Sequence, residues 1–408
     1  MRIEGISPAE AEESFLVVTA QVEKVLRGGI EEVERQLWGI ARRDAGRTTI
    51  TPSRVTVGEP VCFIVRYEVS DKGLPPGSYV RFAVPLVFST PQAKDPDGPG
   101  GVRCWSSDAP VSIFSIERSE ESHEAVDIVC FLEEGLPSLS SFSLSYRTER
   151  TYLFPCRFHQ IERRYWYSKL PPLAAAVAVD DRMLFVPLQE EAGHQVEFVA
   201  GRAERLHLFL PGRRKAGGRF LLRGVFTDRY RNVPPTGPVH ARVHLVLVGN
   251  GKEIDLGTPE RRFVAGHRFE VPLPELPPGV YRAFARDADT SEIVAESNPF
   301  KVLPEESEEP VLYWGEIHGH CEMSDGSGSL YEMYRHAKEE GCLDFAASAD
   351  HACYFTDNQW LWMQDVTNFW NRPGEFVTLI GYEWSGKQVD RNIYTYRDRL
   401  ELFRGMYA

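Results

Sequence analysis

His318 and His320, one residue apart, are the residues whose types and spacing most clearly suit chemistry. On a strand, positions i and i+2 point to the same side of the sheet, so both imidazoles can converge on one metal ion. Ser324-Asp325-Gly326 follows and offers a carboxylate from an Asp-Gly turn. The same region adds Asp350-His351 and Gly381-Tyr382-Glu383-Trp384. Four of the eleven histidines lie between His318 and His351, and the other seven are scattered over the first 267 residues. Each feature also has a plain reading. The two histidines could face a polar cleft, Asp350 and Asp325 could serve their own turns, and Glu383 could be a buried, paired carboxylate. Lys387 and Arg391 could bind a substrate phosphate or be surface charges.

These residues need elements to position them. Leu312–His318 is expected to be a strand. Ser329–Glu340 is expected to be a helix, with Leu330, Met333, Tyr334 and Ala337 on one face. A strand over Leu343–Ala349, a helix from a Thr356-Asp357 cap to about Phe369, and a strand over Phe376–Tyr382 complete the series. This β-α-β-α-β order predicts a parallel sheet. Each candidate ligand then sits at or just past a strand's C-terminal end, where such folds place their sites.

Upstream, the spacing predicts a different architecture. Apolar Phe15, Val18, Val22 and Val25, then Ile30, Val33, Leu37 and Ile40, predict a helical segment over 1–47, broken near Gly28-Gly29. Short alternating runs separated by turn residues predict a β-sandwich-like domain over 48–195 and an immunoglobulin-like β domain over 196–303. Asp228-Arg229-Tyr230-Arg231-Asn232 resembles the Asp-x-Tyr-Gly-Asn turn of bacterial immunoglobulin-like domains, with Arg231 in place of Gly. The acidic stretch 304–310 is expected to be a linker, followed by an α/β region over 311–408. The fold class expected is therefore multidomain, with an all-β N-terminal region and a partial α/β C-terminal region.

The C-terminal region resembles the polymerase and histidinol phosphatase (PHP) superfamily of metal-dependent phosphoesterases. His318-Gly319-His320 through Ser324-Asp325-Gly326 is similar to its first motif, Asp350-His351 to the end of its second, and Gly381-Tyr382-Glu383 to its third. Tyr313-Trp314-Gly315, Gly374–Leu379 and Trp384-Ser385 resemble one uncharacterised branch whose members carry β-rich N-terminal regions. The resemblance implies that His318, His320 and Glu383 bind one metal, that Asp325 and His351 help bind another, and that Glu383 bridges two ions. It also implies catalytic roles for Glu383 and Asp325. Asp390 stands where the branch has a histidine and is the sixth candidate ligand. Imidazole and carboxylate together suit Zn, Mn or Fe, with two or three ions in a complete site. The superfamily's late Asp-x-His motif has no counterpart in the 25 residues after Glu383. A full β/α barrel takes on the order of 200 residues, against 98 from Val311 to Ala408. The expectation is a partial PHP-like barrel, completed by a separate C-terminal fragment if it is completed at all.

Composition narrows the partners. A net charge of −13 opposes a broad nucleic-acid interface, which needs a basic face. The apolar runs are too short to span a bilayer. The seven cysteines have no Cys-x-x-Cys spacing and the N-terminus has no leader pattern, so a cytoplasmic protein is expected. The expected function is hydrolysis of a small-molecule phosphoester, or another ester, by a metal-activated water. The alternative is a non-catalytic binding protein whose β domains hold a glycan or protein, with an inactive partial barrel.

Overall fold

The computed structural model describes residues 29–119, 125–153, 156–158, 173–188, 195–234, 242–259, 263–265, 267–326, 328–386 and 389–404. From Arg47 to Leu303 its regular elements are all strands. The backbone forms two compact units that part between Val199 and Ala200.

In the first unit, alternation sorts the side chains. Val61–Glu68 turns Phe63, Val65 and Tyr67 inward, and Ser141–Thr148 beside it does the same with Phe142, Leu144 and Tyr146. These strands lie in an antiparallel sheet with Arg47–Thr51 and Val102–Trp105. A five-stranded antiparallel sheet, with Ser78–Pro85 and Ala125–Leu132 at its centre, contributes Val80, Phe82 and Val84 to the core. Phe82 meets Phe142 with ring centroids 6.0 Å apart, which joins the two sheets. Residues 29–38 are helical, but Ile30, Val33 and Leu37 of the predicted apolar stripe are exposed and Ile40 alone is buried. The earlier half of that stripe lies outside the described residues.

The second unit begins with two further sheets. Arg205–Phe209, Leu221–Thr227, Arg268–Pro272 and Phe263–Ala265 form one. The other is built on Val243–Gly249, Gly279–Asp287 and Phe300–Leu303. Their shared core includes Leu222, Leu245, Phe269, Tyr281 and Phe300. At the turn after Leu221–Thr227, the Asp228 carboxylate accepts the backbone N–H groups of Gly201, Tyr230 and Asn232 at 2.8–2.9 Å. Arg231 has φ 71°, the left-handed conformation that a glycine takes without strain.

The segment expected to be a linker is tied to this β module. Lys301 Nζ donates to Glu309 at 2.7 Å, Arg213 pairs with Glu309 at 3.6 Å, and Leu312 bonds back to Arg213. Acidic linker residues have met a basic edge strand.

Beyond it lies an open four-stranded sheet in the order β1 (Gly315–Gly319), β2 (Phe345–Ser348), β3 (Val377–Ser385) and β4 (Asp390–Thr395). β1, β2 and β3 are parallel, as the β-α-β-α-β pattern predicts. β4 was not foreseen: it returns antiparallel to β3. Among the described residues β1 is an unpaired edge, and its first four residues are exposed. Helix α1 (Leu330–Glu339) joins β1 to β2, and α2 (Asp357–Trp370) joins β2 to β3. Both open on capping boxes, Ser329 with Glu332 and Thr356 with Gln359, which satisfy otherwise unpaired backbone N–H groups. Leu330, Tyr334 and Ala337 of α1 and Trp360, Met363 and Trp370 of α2 pack with Ile380 and Tyr382 of β3. No helix among the described residues is long and apolar enough to cross a membrane.

Candidate metal centre

The helices fix which face of the sheet carries the cluster. Ile380 and Tyr382 turn toward α1 and α2, so alternation sends Gly381, Glu383 and Ser385 to the opposite face. Glu383 is 6% exposed. Its Oε2 lies 3.2 Å from Nε2 of His318, 3.2 Å from Nε2 of His320 and 3.8 Å from Nδ1 of His351. His318 is on β1, His320 just past its end, and His351 just past the end of β2.

A second carboxylate joins from the loop after β1. Asp325 Oδ1 lies 2.9 Å from His320 Nδ1, and its Oδ2 lies 3.8 Å from His351 Nε2. The tight loop explains the Asp-Gly pair, since a Cβ on Gly326 would fall 2.2 Å from the His320 backbone. Three overlapping sets of donors result, each within 4.8 Å: His318, His320 and Glu383; His320, Asp325 and His351; His351, Glu383 and Asp390. The six residues expected as ligands are thus brought together. His318 is the most open of the three histidines, its side chain 55% exposed against 19% for the other two.

The residue behind the cluster is Asp350, whose role was not visible beyond its place before His351. It is fully buried. Oδ1 accepts the Cys321 N–H at 2.9 Å and the Ser324 hydroxyl at 2.7 Å; Oδ2 accepts the Cys321 thiol at 3.1 Å and the Ser348 hydroxyl. Burial pushes the Cys321 thiol up, and the Asp350 charge adds to it. Cys321 is therefore a protonated donor that helps seat the loop. Ser385 and Glu316 were also missed. The Ser385 hydroxyl lies 2.9 Å from His351 Nδ1, and Glu316 accepts the His318 N–H at 2.6 Å. Engaging Nδ1 leaves Nε2 of His351 to face Asp325, the kind of outer contact that fixes a ligand's tautomer.

Arg391 falls elsewhere. It stands opposite Trp384 in the β3–β4 ladder, one residue out of step with Glu383, and so points to the helix side. Of its two readings, substrate phosphate or surface charge, that period of two favours the surface charge. Lys387 lies outside the described residues. His336 sits on the exposed side of α1 beside Glu340. A cavity of about 890 Å³ opens at the other end of the strands, lined by Arg214, Trp314, Phe345 and Val377, away from the cluster.

The donor set fits divalent ions. Donors about 2.0–2.1 Å from a shared ion stand about 2.8–3.4 Å apart at octahedral or tetrahedral angles, and the two imidazoles lie 3.2 Å from Glu383.

Residues 328–398 match a family described as protein of unknown function, DUF3604. The DUF3604 stretch takes in Asp350, His351, Glu383 and Asp390, while His318, His320 and Asp325 precede it. An uncharacterized protein of Chlamydia pneumoniae is 26% identical over 191 residues, 45% of this chain and 29% of that protein. One of Chlamydia muridarum is 25% identical over 197 residues, 47% of this chain and 30% of that protein. The chain thus spans under a third of the length of these relatives. Among solved structures, the Yersinia pseudotuberculosis adhesin InvE aligns over 63% of this chain and 58% of its own, with 9% identity and a TM-score of 0.18.

Proposed function

We propose that this chain carries the metal-binding part of a PHP-like hydrolase acting on small phosphoesters. The observation that carries the reading is the sharing of one buried carboxylate, Glu383, between two of the three donor sets. A carboxylate in that position can bridge two ions. His318 and His320 would hold one ion with Glu383, and His351 and Asp390 would hold another with it. His320, Asp325 and His351 would form the remaining set. Nitrogen and carboxylate donors in this mixture suit Zn, Mn or Fe.

Bound divalent ions would supply Lewis acidity toward a phosphoryl oxygen and lower the pKa of a water. The chain's own groups do the rest. Glu383, Asp325 and Asp390 make the cluster acidic, so an anionic ester can enter only when cations offset them. The exposed His318 marks the open side. Asp325 faces His320 and His351 within the donor set that the three form.

Metal analysis tests the reading. The purified chain should hold two or more equivalents of divalent metal, and His318→Ala and Glu383→Ala should each lose metal. A panel of generic phosphoesters should be hydrolysed by the loaded wild type and not by either variant. A chain that takes up no Zn, Mn or Fe and leaves every phosphoester intact would end the proposal. Cleavage of carboxylic esters or amides alone would replace phosphoester with another substrate class.

A further inference from the structure

β4 carries a group that the cluster has not yet used. Asn392 stands directly opposite Glu383 in the antiparallel ladder. Paired residues project from the same face, so its amide shares the face of the cluster. Asp390, two residues earlier on that face, already contributes a donor to the third set. Tyr394, two residues later, stands opposite Gly381 and lies close enough for the charges of Glu383 and Glu316 to act on its hydroxyl.

Tyr394 donates its hydroxyl to the Ile317 carbonyl of β1. Asn392 Oδ1 is buried with no hydrogen-bond partner among the described residues. An orphaned buried carbonyl oxygen is destabilising unless something pairs with it. It is also a hard, neutral oxygen donor of the kind divalent cations accept.

We infer that Asn392 Oδ1 is an additional metal-directed oxygen of this centre, serving the ion that Glu383 and Asp390 would share. The inference rests on the metal-binding reading above.

The test is titration of the metal-stripped full chain with Mn²⁺ by calorimetry, together with thermal melts without metal. Asn392→Leu keeps the volume and removes the orphan. Its Mn²⁺ affinity should fall at least about tenfold, while its metal-free melting temperature stays level or rises. Asn392→Asp keeps an oxygen and should bind Mn²⁺ as tightly as wild type or more tightly, which holds even if the leucine variant folds poorly. Wild-type affinity in Asn392→Leu, or equal losses in both variants, would overturn the role of Asn392 and leave the proposed function standing. Absence of Mn²⁺ binding in the wild type would remove both.

Discussion

His351 and Glu383 are locked side by side by the backbone. Glu383 donates its N–H to the Asp350 carbonyl and accepts the Ala352 N–H, both at 2.9 Å, so the two form a parallel bridge beyond the end of β2. Their side chains meet through this pairing, and loop motion cannot easily part them.

That bridge makes metal binding a stability measurement. At a metal concentration about 100 times its Kd, the bound state gains about 2.7 kcal/mol. Melts in Mn²⁺ and in chelator should therefore separate by several degrees for the wild type and coincide for Glu383→Ala. Coincident wild-type melts would count against the centre.

Asp350 is expected to matter for folding more than any proposed ligand. Asp350→Ala strips the acceptor from Cys321, Ser324 and Ser348 and should cost about 3 kcal/mol or more, since hydrogen bonds to charged groups are worth about 1.5–3 kcal/mol each. Urea denaturation checks this. A loss below about 1 kcal/mol would show that the loop is seated some other way.

The thiols should divide by environment. Cys62 is exposed, Cys130 and Cys321 are buried, and burial pushes Cys342 up to about 11. Iodoacetamide on the folded protein near pH 7.5 should label Cys62 first and spare Cys321, because the thiolate is the reactive form. Peptide mapping that finds Cys321 labelled as fast as Cys62 would contradict its role as a protonated donor to Asp350.

Asp228 gives a pH signature. Burial would raise its carboxyl, but the N–H groups of Gly201, Asn232 and Tyr230 and the Asn232 side chain outweigh that and hold it below the usual range. Its contribution is whole above the unfolded value of about 3.9 and is lost as pH falls through the folded value. Asp228→Asn should be less stable than wild type at pH 7, and the gap should shrink toward pH 3. A gap independent of pH would mean that the charge contributes nothing.

Much of the centre was legible because it depends on local periodicity. The i, i+2 spacing of His318 and His320 and the apolar face of α1 follow from geometry that each segment carries alone. β4 was not legible: Asp-Arg-Asn-Ile-Tyr-Thr has little apolar alternation, and its strand form depends on pairing with β3. The direction of Arg391 was hidden for the same reason, since which face a residue takes follows from register. Asp350 looked like a mere neighbour of the candidate ligand His351 because its four donors come from residues 321, 324 and 348, and only the folded loop assembles them. The stretch 304–310 read as a tether from composition, yet Lys301 and Arg213 supply the charges that pin it.

The commitment of Asp350 to protein donors has one more consequence. The wall behind His320 is finished by the chain itself, which makes the centre a socket and not a staple. Ions could leave and return without the refolding that zinc-dependent domains require. On the proposed metal-binding reading, chelation would be reversible, and the ion held would follow current supply, with no memory of the ion present when the chain first folded.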